Sequence, residues 1–154
     1  MNSKAFSLVE ICMAIGIAAF FLIAIYSLLP VGLKASQESS EETVATGILS
    51  QVVADLVSCP TTVPRGKAVS TKQFAIAIPA NPLTAEGAAS PLYFSESGYD
   101  GASAKPDSLY RVDVTFLTNS GSNSATLAAV KASWPAAASK PLGKVETFVA
   151  LDRN

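Results

Sequence analysis

The sequence predicts an α+β fold, with one long N-terminal helix packed on a small antiparallel β-sheet. Three observations carry that prediction. Residues 11–33 form an uncharged run of 23, mostly Ile, Leu, Ala and Phe. Beyond it Val44, Ile48, Val52 and Leu56 recur every four residues, the spacing of one helix face. After Pro60 the period falls to two, in runs ending at Ile78, Phe116, Trp134 and Leu151. A sheet with one apolar face needs a cover, and the residue 44–56 stripe is the available one.

Composition narrows the function classes. The chain has 154 residues, 11 basic and 12 acidic side chains and no histidine; 15% of it is charged, against roughly 25% in an ordinary soluble domain. A net charge of −1 argues against nucleic acid as a partner, because phosphate recognition needs clustered Lys and Arg. Without histidine there is no Ser-His-Asp or Cys-His pairing. No Gly-rich phosphate loop, CxxC or HExxH is present. The expectation is a protein that is not an enzyme, with no catalytic residues, no cofactor and no metal.

The charge shortage is concentrated at the N-terminus. As a helix, residues 11–33 span about 34 Å, enough for a bilayer core of about 30 Å. The run is too long for a secretory signal, and Pro30-Val31-Gly32 is a poor cleavage site. A lipoprotein signal needs small residues before its Cys, whereas Cys12 follows Glu10-Ile11. Glu10 is the oddity. A lone carboxylate costs several kcal/mol in lipid and is by default a functional residue; alternatively it sits at headgroup level, where the helix macrodipole favours an anion.

Lys4-Ala5-Phe6-Ser7-Leu8-Val9-Glu10 and the apolar run after it resemble the cleavage and methylation signal of type IV prepilins and type II secretion pseudopilins. The resemblance covers about residues 4–30. It implies that a prepilin peptidase cuts between Ala5 and Phe6, that Phe6 is then N-methylated, and that Glu10 becomes the fifth mature residue. The family more often has Gly where Ala5 stands. The resemblance also implies inner-membrane lipid and other pilin-like subunits as partners, with residues 34–154 periplasmic or extracellular. Cleavage would place a positive α-amino group on Phe6. The Glu10 carboxylate of one subunit then pairs with the amine of its neighbour, since a charge pair costs much less in lipid than either charge alone. Leu28-Leu29-Pro30-Val31-Gly32 and Glu146-Thr147-Phe148-Val149-Ala150-Leu151 are, more loosely, similar to segments of verrucomicrobial prepilin-like cassette proteins.

The organisation expected is therefore a leader at 1–5, a transmembrane and assembly helix at 6–33, its amphipathic continuation at 34–59, and a sheet domain at 60–154. Leu49 and Val53 widen the second stripe, opposite Glu42, Thr46, Ser50 and Asp55. Pro30 and Gly32 are expected to kink the helix, and Cys59-Pro60 to stop it. Two helices joined at residues 36–40 are the alternative.

In the sheet domain Phe74, Ile76 and Ile78 alternate, as do Tyr110, Val112, Val114 and Phe116. A polar tip at 119–123 leads to Ala128, Val130, Ala132 and Trp134 on one face; Val145, Thr147, Val149 and Leu151 follow. Together they read as a meander, with 92–94 a further short strand and Trp134 a core or rim residue. Stretches 80–90 and 97–108, rich in Ala, Gly, Ser and Pro, read as loops. Glu96, Asp100 and Asp107 match no defined calcium loop and read as solvated turn acids; the alternative, which the resemblance to pseudopilins raises, is a set of oxygen ligands for calcium. Cys12 and Cys59 are some 70 Å apart on a continuous helix and cannot bridge within one chain. Cys59 is left as a free thiol or a cross-link between subunits.

The function expected is a structural subunit, a minor pilin or pseudopilin in kind. The alternative is a single-pass membrane-anchored binding module that does not assemble.

Overall fold

The structure, a computed structural model, describes residues 7–59, 63–121 and 124–152. One helix, α1 (Leu8–Val57), is followed by eight strands: β1 (Val69–Ser70), β2 (Ala77–Ile78), β3 (Gly87–Ala88), β4 (Leu92–Ser95), β5 (Gly98–Gly101), β6 (Tyr110–Phe116), β7 (Thr126–Trp134) and β8 (Gly143–Leu151). The fold class is α+β. The main sheet is antiparallel throughout and ordered β5-β4-β6-β7-β8, with β3 also pairing with β6. The chain divides into two compact units, one ending at Ser40 and one running from Glu41 onward.

In the second unit the meander β6-β7-β8 is the frame. Its pairing is unbroken, Arg111–Phe116 against Ser133–Ala128 and Thr126–Trp134 against Leu151–Gly143. Side chains alternate across a strand, so one face of β6 and β7 collects Tyr110, Val112, Val114 and Phe116 with Ala128, Val130 and Ala132, all buried. Ala45, Ile48, Leu49, Val52 and Leu56 of α1 pack into that same core. Fully burying one such Val or Leu contributes about 1.5–3 kcal/mol, which makes this contact the main support of the unit.

Two residues of the helix depart from the expected stripe. Val44 is exposed, and Ala45 is buried in its place. Asp55, expected opposite the stripe, is only 4% exposed. At about 100° per residue it lies about 60° from Val52 and about 20° from Ile48, at the edge of the stripe, so a four-residue count from Val44 that skips it misses its face. The helix runs unbroken through both Pro30 and residues 36–40. It ends with Ser58 N–H on Ala54 C=O at 2.9 Å and Cys59 N–H on Leu56 C=O at 3.2 Å. Pro60, the expected stop, lies outside the described residues.

Asp55 explains the segment after the helix. Its Oδ1 accepts the Gln73 N–H and its Oδ2 the Phe74 N–H, each at 3.0 Å. Those donors lie in the tip between β1 and β2, where Thr71 and Ile76 exchange bonds through Thr71 N–H, Thr71 Oγ1 and the Ile76 peptide. The tip turns through Ala75 at φ 53°. Phe74 is thereby pressed edge-on against Phe94 and Tyr99, with ring centres 5.7 and 5.0 Å away. Phe74, Ile76 and Ile78 are buried alternately as expected, but only Ala77–Ile78 is strand.

The two stretches expected as loops hold short strands, β3 in the first and β5 in the second. Gly98 and Gly101 of β5 sit at φ 121° and 118°, a conformation that glycine alone adopts without strain. Leu83 makes a further bridge to Asn119. Trp134 is buried at the end of β7, 6.1 Å from Tyr110. Gly143 faces it across the ladder. A Cβ on Gly143 would lie 2.2 Å from the indole Cζ2, so the ring occupies the space that a side chain there would need.

Candidate functional site

The candidate site is the first unit. In α1 every described residue from Leu8 to Val44 is exposed except Ala24, which is half-buried. That surface includes Leu8, Val9, Ile11, Met13, Ile15, Ile17, Phe20 and Phe21. An apolar helix with no protein against it needs another apolar medium. It is the one helix among the described residues long and apolar enough to cross a membrane, on length and composition. In a membrane a coil would expose peptide groups to lipid, whereas a helix satisfies them internally. The hydroxyl of Ser27 is satisfied the same way, donating to Ala24 C=O at 2.8 Å. Pro30 gives up one N–H without ending the helix.

Glu10 is the sole charged residue between Leu8 and Leu33. It lies in the first turn of α1. There its carboxylate meets the positive end of the helix dipole. The Ser7 carbonyl starts the helix, accepting from Glu10 N–H at 3.0 Å and Ile11 N–H at 3.2 Å. Ala5 and Phe6, the expected processing residues, lie outside the described residues, as does Lys4. The described part of the site is thus an exposed apolar helix bearing one acid at its start. At the polar end of the run Lys34 reaches Glu38 one turn on, at 3.8 Å; so exposed a pair adds little.

The remaining candidate residues, apart from Cys12, lie in the second unit. Cys12 is exposed on α1, while Cys59 is buried, so Cys59 does not offer the surface thiol that a cross-link between subunits requires. Glu96 and Asp107 are exposed, and Asp100 behaves differently from the solvated acid expected. Its carboxylate accepts from Ser108 Oγ at 2.8 Å, Ser95 Oγ at 3.1 Å and Lys105 Nζ at 3.5 Å. The Ser108 bond is the main reason its carboxyl titrates below the ordinary 3.8. Asp100 therefore closes the β5–β6 connection with hydroxyls and an ammonium. Among the described residues no group of three or more His, Cys, Asp or Glu is placed to hold a metal.

Comparison with known proteins finds no match: no family model, no curated protein and no solved structure is similar to the chain.

Proposed function

We propose that the chain is a structural subunit of the pilin or pseudopilin kind, stored in the inner membrane through α1 and assembled through that helix. The observation that carries this reading is the exposed apolar surface of α1 from Leu8 to Leu33, with Glu10 as its single charge. A plain anchor draws from that carboxylate only its fit to the helix dipole, whereas an assembling helix also gains an axial register from it. In the proposed sequence of events a prepilin peptidase removes residues 1–5 between Ala5 and Phe6 and methylates the new N-terminus. The Phe6 amine of one subunit then meets the Glu10 carboxylate of its neighbour. The pair is acceptable in lipid where each charge alone is not, so only offsets that bring the two together are favoured. The second unit, in this reading a pilin-like domain of helix on sheet, stands on the periplasmic side and is carried outward on assembly.

Mass spectrometry of the protein purified from its native membrane tests the reading. The expected mature N-terminus is methylated Phe6. An intact Met1 leader overturns it and leaves a membrane-anchored binding module. Neither prepilin-type processing nor assembly calls for an active site in this chain.

A further inference from the structure

The second unit leaves one edge of its sheet open. Among the described residues β8 pairs with β7 alone, over nine consecutive residues with no bulge. Proteins commonly blunt such an edge with prolines, bulges or short strands; between Lys144 and Leu151 there is no proline and no glycine.

Which backbone groups face outward follows from two bonds. Leu117 N–H donates to Leu127 C=O, so Leu127 faces β6; Leu142 N–H donates to Trp134 C=O, so Trp134 faces β8. Antiparallel pairs alternate. Residues 145, 147, 149 and 151 of β8 therefore bond to β7, and the N–H and C=O groups of Lys144, Glu146, Phe148 and Ala150 point to the free edge. Their side chains lie on the face away from α1 and are exposed, Phe148 by 69%.

We propose that this edge pairs antiparallel with β8 of a second copy, in the register centred on Phe148. That register sets Lys144 opposite Asp152 of the second copy, and the reverse, and places the two Phe148 rings side by side. It also sets Val145 opposite Leu151 and Thr147 opposite Val149, which prolongs the apolar face from one sheet into the next. Asp152 remains 77% exposed while bonded to Arg65, so it is within reach of a second cation. Other registers fit less well. Centring on Glu146 opposes two carboxylates, and centring on Thr147 leaves Lys144, Glu146 and Asp152 opposite Ala150, Phe148 and Leu142. Centring on Val145 pairs Lys144 with Glu146 but aligns only residues 143–147 of the strand.

The two-fold axis of such a pair stands perpendicular to the sheet. Directions lying along the sheet, including that of α1 residues 41–57 resting on it, reverse between the copies. The β8 contact lies wholly within the second unit and stands whether or not α1 assembles as proposed above.

The test uses the full chain in detergent micelles. Phe148→Cys is expected to form a 148–148 disulfide on mild oxidation, mapped by mass spectrometry, well above the yield from Leu127→Cys on the same face. Lys144→Glu and Asp152→Lys each place like charges opposite one another and are expected to weaken the dimer on the order of ten-fold. An equimolar mixture of these two variants forms a heterodimer with both pairs complementary and recovers wild-type affinity. Cross-linking at 148 no better than at 127, or a mixture no tighter than its components, overturns the proposal. Dimers held by α1 alone are indifferent to both charge changes and overturn it equally.

Discussion

Replacing Asp55 by Ala is expected to cost the second unit about 3 kcal/mol. The two carboxylate oxygens each take one backbone N–H at 3.0 Å, from Gln73 and Phe74. A hydrogen bond to a charged acceptor is worth about 1.5–3 kcal/mol, so the pair sets an upper bound near 6. Two effects bring the figure down. The Gln73 donor is only partly buried and rehydrates once its acceptor is gone, and Ala removes the desolvation cost of a carboxylate that is 4% exposed. The buried Phe74 N–H is left without a partner and carries most of the loss. Asp55→Asn keeps one acceptor oxygen but turns an NH2 group toward the other donor, and should lose about half as much. Urea unfolding of the full chain in micelles, followed through Trp134, reads both values, because Trp134 is the single tryptophan and is buried. Hydrogen exchange at the Phe74 amide provides the local signal and should accelerate in both variants. If Asp55→Ala stays within about 1 kcal/mol of wild type and Phe74 exchange is unchanged, the carboxylate does not hold the β1–β2 tip and the reasoning fails.

Other expectations come from separate parts of the molecule. Gly143→Val forces the Trp134 indole out of contact and should cost about 1–3 kcal/mol, with a red shift in Trp134 emission. Leu56→Ala empties a fully buried position under the sheet and should cost about 2–5 kcal/mol in the same urea assay. For Asp100 the carboxyl lies below 3.8 in the folded state. Its contribution to stability is complete above that pH and fades as pH falls through the lowered value. A pH series of melting temperatures should show this acid loss in wild type and a flatter curve in Asp100→Asn. Glu10→Gln should insert into membranes as wild type does, yet drop out of the assembled fraction on sedimentation.

The meander and the helix could be read in the sequence because both are strictly periodic. Tyr110–Phe116 alternates throughout and Thr126–Trp134 as far as Ala132, and one residue of slip would turn the buried face to water. The short strands could not be read. Gly87–Ala88 and Gly98–Gly101 carry no apolar pattern, and they are strands only because β6 and β4 offer them an edge. Asp55 was missed for a related reason: a buried acid looks like a surface acid until its donors, 18 and 19 residues downstream, are known. At the candidate site Glu10 stood out because nothing else in its stretch is charged.

The order in which the core is built has a further consequence. The buried stripe of α1, Ala45 to Leu56, is synthesised well before β6, β7 and β8, the strands that cover it. Contacts this distant in sequence form slowly, and the sheet closes only when Leu151 pairs with Thr126, almost at the end of the chain. During that interval the nascent protein displays two kinds of apolar surface on one helix. The first, in residues 8–33, stays exposed in the folded protein; the second must wait bare until the sheet covers it. A half-made chain, with the stripe still uncovered, is therefore the species most exposed to misassembly.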